Sequence, residues 1–118
     1  MTSKQLFELA KQDPSSKQSI RKRIRSSYVA LQWAKRWPED KDIVRSRIND
    51  SYWAFFWTRL WPEDKDIMRS RVKDYSAYEW ALRWSEDRDI RRKQIKDPFW
   101  IREFTRTIRL GPGLVTNL

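Results

Sequence analysis

At 118 residues the chain is about one domain's worth, enough for one modest core. It holds no cysteine, no histidine and only two glycines, Gly111 and Gly113. That excludes disulfides, thiolate or imidazole metal sites, Ser-His and Cys-His nucleophile pairs, and the glycine loops that cradle phosphates. The formal charge of +10 favours polyanionic partners without choosing among nucleic acid, acidic protein and lipid headgroups.

Residues 1–18 read as an N-terminal capping helix, with Leu6, Leu9 and Ala10 on one face. They carry no secretory apolar core, and the longest apolar run, Tyr52–Trp57, is far short of a membrane span. The expectation is a cytoplasmic protein without a membrane partner. From residue 19 the chain repeats itself. Trp-Pro-Glu-Asp-Lys-Asp at 37–42 returns at 61–66 and then, as Trp-Ser-Glu-Asp-Arg-Asp, at 84–89. Trp33, Trp57 and Trp80 keep the same step, as do Ile24, Ile48 and Val72. Copies at 19–42, 43–66, 67–89 and a degenerate 90–110 result, and the third lacks one residue beside Asp74.

Each copy reads as two short helices. The first starts at Pro-Glu-Asp or Ser-Glu-Asp, where proline suits a first turn and carboxylates oppose the helix dipole, and it runs in copy two from about Pro38 to Ile48. The second starts near Asp50-Ser51, a boundary echoed by Asp97-Pro98. Along it Ala54, Trp57, Thr58 and Trp61 share one face, which returns as Ala30, Trp33, Ala34, Trp37 and as Ala77, Trp80, Ala81, Trp84. A unit this small cannot cover its own indoles, so copies must stack. Burying one indole contributes roughly 4–6 kcal/mol at about 25 cal/mol per Å². The predicted fold is a single all-α domain over 1–118, a compact α-solenoid of about four 23–24-residue helix-turn-helix repeats. In the tail, 111–118, Gly111-Pro112-Gly113 stops the last helix, and Leu114, Val115 and Leu118 either fold over the final repeat or dangle.

Charge is uneven along the chain: +1 in residues 1–18, +4, 0 and 0 in the first three copies, and +5 from residue 90 on. Arg23, Arg47 and Arg71 flank the apolar stripe and are expected to lay their stems on tryptophan and reach a neighbouring carboxylate. Arg45, Arg69 and Arg92 each follow an aspartate by three residues, Asp42, Asp66 and Asp89, as ordinary surface pairs. In the first copy that aspartate is Gln18. Arg21, Lys22 and Arg25 are therefore predicted as an uncompensated basic cluster, with Arg91, Lys93 and Lys96 as its counterpart. A second candidate surface is the outer side of the second helices, where Tyr52, Phe56 and Arg59 combine aromatic rings with a cation, as interfaces and base-stacking platforms do.

Paired carboxylates occur only as reiterated helix-start clusters, whereas a catalytic pair is unique and sheltered, so no enzymatic activity is expected. No calcium-type loop is present, and neither metal nor cofactor is predicted. The run Ala-x-x-Trp-Ala-x-x-Trp-Pro-Glu-Asp-Lys-Asp-Ile resembles short tandem helical-hairpin repeats of bacteriophage and bacterial genomes, over roughly residues 19–108. That resemblance implies a small phage inhibitor of the anti-CRISPR type, which occludes a surface of a host protein or nucleoprotein complex. Three expectations follow: a non-enzymatic inhibitor docking on such a complex, a direct DNA or RNA binder using the basic ends, and a module that self-assembles end to end.

Overall fold

The computed structural model describes residues 1–110, with side chains as far as Ile108. The tail 111–118, with its predicted Gly111-Pro112-Gly113 stop and the roles proposed for Leu114, Val115 and Leu118, lies outside the described residues. The described chain is all-α, a tandem repeat of helical hairpins, with no strand among the described residues. Long helices alternate with short ones. The long ones are α1 (Ser3–Gln12), α3 (Ser27–Arg36), α5 (Ser51–Leu60), α7 (Tyr75–Arg83) and α9 (Pro98–Leu110). The short ones are α2 (Lys17–Ile20), α4 (Lys41–Val44), α6 (Lys65–Met68) and α8 (Ile90–Gln94).

Each short helix is tightened by 3₁₀ turns. Pro38–Asp40 leads into α4 and Arg45–Arg47 closes it, and the same pattern surrounds α2 and α6. The expected first helix from Pro38 to Ile48 is thus a composite of three segments, held by few α-type bonds and dependent on packing. Two long-helix starts, those of α5 and α9, carry the expected caps. Asp50 Oδ1 accepts from the backbone N–H of Tyr52 at 2.9 Å, and Asp97 Oδ1 from that of Phe99 at 2.8 Å. Thr2 and Gln5 close a reciprocal capping box on α1, with bonds of 2.8 and 3.1 Å.

The chain divides into two compact units, Met1–Trp53 and the part from Ala54 on. In the first, α1 packs on α2 and α3, and α3 packs on α4. Leu6, Ala10, Ile24, Leu31, Trp33 and Ile48 are at most 2 % exposed and form its core. In the second, α7 packs on α8 and α9 around Trp57, Trp80, Met68, Val72 and Ile90. Trp33, Trp57 and Trp80 are each 0 % exposed, as the stacking argument requires. Their partners Trp37, Trp61 and Trp84 are half-buried lids with ring centroids 4.7, 4.5 and 4.7 Å from the inner indoles.

A repeated side-chain oxygen stitches successive hairpins. Ser3 Oγ accepts the backbone N–H groups of Arg25 and Ser26 at 2.9 and 3.2 Å, and Ser27 Oγ accepts that of Asn49 at 3.1 Å. Where copy three lacks a residue, Asp74 takes the serine's place and its Oδ1 accepts from Lys96 and Asp97, both at 2.8 Å. The shortened connection forces Asp74 to φ 48°, the one positive non-glycine value among the described residues. With ψ −116° it lies outside the left-handed helical region that aspartate tolerates, in backbone space that favours glycine. The two N–H donors hold its carboxyl below the usual carboxylate range.

Candidate binding site

The acidic helix starts do more than oppose a dipole. Trp33 Nε1 donates to Asp40 Oδ2 at 2.9 Å, Trp57 Nε1 to Asp64 Oδ2 at 2.8 Å, and Trp80 Nε1 to Asp87 Oδ2 at 2.9 Å. Asp40, Asp64 and Asp87 are 2 %, 4 % and 6 % exposed. An indole N–H shut away from water needs an acceptor. The spacing of seven residues from Trp to Asp supplies one by folding the turn back under the long helix. The aspartates keep the first-turn placement read from the sequence and take on the indole bond in addition.

The second carboxylate oxygen is held from the preceding short helix. In the first unit Arg21 Nη1 reaches Asp40 Oδ1 at 2.7 Å, and Lys17 Nζ lies 2.9 Å from Glu39 Oε1 and 3.4 Å from Asp40 Oδ2. In the second, Arg69 Nη1 lies 3.0 Å from Asp87 Oδ1, and Lys65 Nζ lies 2.6 Å from Glu86 Oε1 and 3.1 Å from Asp87 Oδ2. Two positions per short helix, Lys17/Lys65 and Arg21/Arg69, thus grip the Glu-Asp pair that opens a following short helix. A fully dry carboxylate would be costly, and the three donors offset that cost. Hydrogen bonding to Lys17 and Lys65 pulls the Glu39 and Glu86 carboxyls below the usual range. In return the Glu39 bond raises Lys17 above an ordinary lysine. Desolvation opposes the Lys65 charge, and its bonds to Glu86 and Asp87 overcome that opposition and raise it as well.

Several predicted surface residues change role. Arg21 is not an uncompensated charge: it is half-buried and spent on Asp40. Its companions Lys22 and Arg25 are exposed, as is Arg23, and with Met1, Thr2, Ser3 and Leu6 they line a shallow recess of about 410 Å³. Arg69 does not take Asp66. It bridges Asp87 and, through Nη2 at 2.6 Å, Asp89, whose carboxyl this bond holds low. Only Arg45 makes its expected pair, with Asp42 at 2.8 Å. Arg47 lays its Nη2 on the Lys22 carbonyl oxygen at 2.9 Å. At the equivalent place Gln94 Nε2 reaches the Arg69 and Val72 carbonyl oxygens, both at 2.6 Å. Arg71, at the same position, donates through Nη1 to Met68 Sδ at 3.5 Å; the cations resting on Trp37 and Trp84 are instead Lys17, Arg36, Lys65 and Arg83.

In the second unit Lys93 and Lys96 are exposed and Arg91 is half-buried. Arg92 and Lys93 border a cleft of about 500 Å³ that also contains Asp66, Arg69 and Asp89. The predicted aromatic face is spread along α5. Tyr52, 57 % exposed, meets Trp53 edge-on at 4.7 Å, and Tyr28 meets the same indole at 5.0 Å. Phe56 is half-buried, and the exposed Arg59 guanidinium lies 5.9 Å from both Phe55 and Phe56. A like trio occurs in the second unit, where Tyr75 stacks on Trp100 at 4.8 Å and Phe99 meets it edge-on at 4.7 Å.

Among the described residues no group of three or more Asp or Glu side chains is arranged to hold a metal ion, and no helix is long and apolar enough to cross a membrane. Fold and surface together define an all-α tandem-hairpin protein with one buried aspartate beneath each inner indole. No family model, curated protein or solved structure matches the chain.

Proposed function

We propose that this chain is a non-enzymatic binding protein that docks exposed basic and aromatic side chains on a nucleic-acid-handling complex of a host cell and blocks it, as phage inhibitors of the anti-CRISPR type do. The supporting observation is the pairing of acid within the chain. Glu39, Asp40, Glu86 and Asp87 are taken up by cations of the preceding short helix. Lys22, Arg23 and Arg25 in one unit, and Arg92, Lys93 and Lys96 in the other, are left facing water. The half-exposed rings of Tyr28, Tyr52, Tyr75 and Phe99 add the aromatic component that protein interfaces favour.

Affinity capture from host lysate, with and without nuclease, tests the reading. A specific partner complex retained after nuclease and lost on combined Lys22→Glu and Lys93→Glu substitution is the expected result. Loss of every partner on nuclease treatment would overturn it in favour of direct binding to DNA or RNA. The exposed lysines and arginines are the observation behind that second reading. It further requires affinity for a bare duplex to fall steeply between about 50 and 200 mM salt as counterions are released.

A further inference from the structure

Three cations of the first unit answer to no acid within it. Lys22, Arg23 and Arg25 are exposed, line one recess of about 410 Å³ together with Thr2 and Ser3, and pair with no carboxylate among the described residues. No acidic residue lines that recess. The fold does not ask for this charge, because the second copy carries Ser46 where the first has Lys22, and Asn49 where it has Arg25. The exchange at Arg25 also removes an acceptor. Ser27 Oγ donates to the Arg47 carbonyl oxygen or to Asn49 Oδ1, each at 3.1 Å. Its counterpart Ser3 accepts the N–H groups of Arg25 and Ser26 and donates to nothing among the described residues. Ammonium, guanidinium and hydroxyl hydrogens are therefore what the polar side chains of the recess offer, and a ligand that only accepts answers them. The wall is fixed in advance. Ser3 holds the Arg25 end, and Arg47 Nη2 holds the Lys22 carbonyl oxygen at 2.9 Å.

We infer that this recess seats the backbone phosphates of a single-stranded nucleic acid, with a base of the strand stacked on Tyr28. Phosphodiester oxygens accept and never donate, and they stay partly in water at the rim of a strand, which suits a shallow, cation-lined recess. The chain grips its own carboxylates differently: Lys17 and Arg21 are half-buried and close on one Glu-Asp pair, whereas Lys22, Arg23 and Arg25 stand in water. Tyr28 selects a single strand over a duplex. Its ring is 49 % exposed, and Trp53 braces it edge-on at 5.0 Å. Tyr28 follows Arg25 by three residues, so the two Cα atoms are at most about 11 Å apart at about 3.8 Å per step. An unpaired base can stack on such a ring, whereas a base held inside a duplex cannot. The inference rests on the docking proposal and deepens it: the nucleic acid of the bound complex is what this part of the surface meets.

The test is a fluorescence anisotropy titration of the intact protein with a labelled oligothymidylate. Saturable binding is expected, weakened about tenfold or more by Lys22→Ser with Arg25→Asn, the residues that the second copy carries at those places. The slope of log affinity against log salt should become shallower by about 1.4 in that variant, at about 0.7 per phosphate contact on a single strand. Arg23→Gln gives an independent reading, with an expected change of about 0.7. A merely structural role would move neither slope. Tyr28→Ala should weaken binding about fivefold or more and leave the slope alone. Slopes unchanged in both charge variants, or affinity unchanged in Tyr28→Ala, would overturn the inference. So would a duplex bound as tightly as the single strand, or an oligoglutamate peptide bound through Lys22 and Arg25 while the oligothymidylate is not. A titration that fails while the lysate capture keeps its partner after nuclease removes this inference alone. A partner lost on nuclease with the titration intact removes the docking proposal alone.

Discussion

Replacing Asp87 by alanine tests whether the buried carboxylates hold the repeats together or merely decorate helix starts. Asp87 is 6 % exposed and takes three donors: Trp80 Nε1 at 2.9 Å, Lys65 Nζ at 3.1 Å and Arg69 Nη1 at 3.0 Å. The indole is fully buried and has no water to turn to, so stranding its N–H costs about 1–3 kcal/mol. Lys65 and Arg69 are 20 % and 31 % exposed and retain Glu86 and Asp89, so each loses only about 0.2–1 kcal/mol. The expected destabilisation is about 2–4 kcal/mol. A carboxylate acting only on the helix dipole would be worth about 0.3–1 kcal/mol. Urea unfolding followed by circular dichroism reads the difference. A double-mutant cycle with Trp80→Phe isolates the indole bond, with an expected coupling of about 1–2 kcal/mol. An Asp87→Ala variant within about 0.5 kcal/mol of the parent, or a coupling near zero, would refute the reasoning.

Other outcomes follow from the same contacts. Glu39, Glu86, Asp74 and Asp89 are all held below their ordinary pKa values of 4.5 and 3.8. They contribute stability that is present at neutral pH and drains away as pH falls below those values. Lys17 and Lys65 are raised above 10.5, so their contribution is lost as pH climbs past that point. Thermal melts across both ranges should show a plateau between two declining arms, and a melting temperature unchanged on acidification would contradict the carboxylate part. At the shortened connection, Asp74→Gly and Asp74→Ala both lose the acceptor for Lys96 and Asp97, but only alanine must bear the positive φ. Alanine should therefore be the less stable variant by roughly 0.5–1.5 kcal/mol in chemical denaturation. Thr2→Ala removes one half of the α1 capping box and is expected to cost about 1 kcal/mol; hydrogen exchange in α1 unchanged by it would show the box to be idle.

Much of the architecture was legible because it is written in period. The 24- and 23-residue steps of tryptophan announced stacked hairpins, and Asp50 and Asp97 cap α5 and α9 as their placement before Ser51 and Pro98 implied. The missing residue beside Asp74 was visible in the alignment of copies, whereas its accommodation by positive φ was not, because loop geometry depends on where the next hairpin lies. Arg21 was misjudged for the same reason. Its partner Asp40 lies nineteen residues away, beyond the i,i+3 and i,i+4 neighbours that pairing on one helix can suggest. Arg69 fails identically, passing over Asp66 for Asp87 and Asp89. The serines at 3 and 27 were a regular signal that went unused, since a hydroxyl's acceptor role becomes apparent only when a neighbouring backbone is set against it.

Helical periodicity and turn chemistry are local properties, so the order of residues alone established an all-α repeat with Trp33, Trp57 and Trp80 facing inward. Which polar group answers which is a long-range matter. The local turn brings Asp40 and Asp87 beneath an indole seven residues earlier, but only the packing of one short helix on the next sets them against a cation, because burial makes each unpaired N–H, carboxylate and guanidinium costly and so settles their pairing.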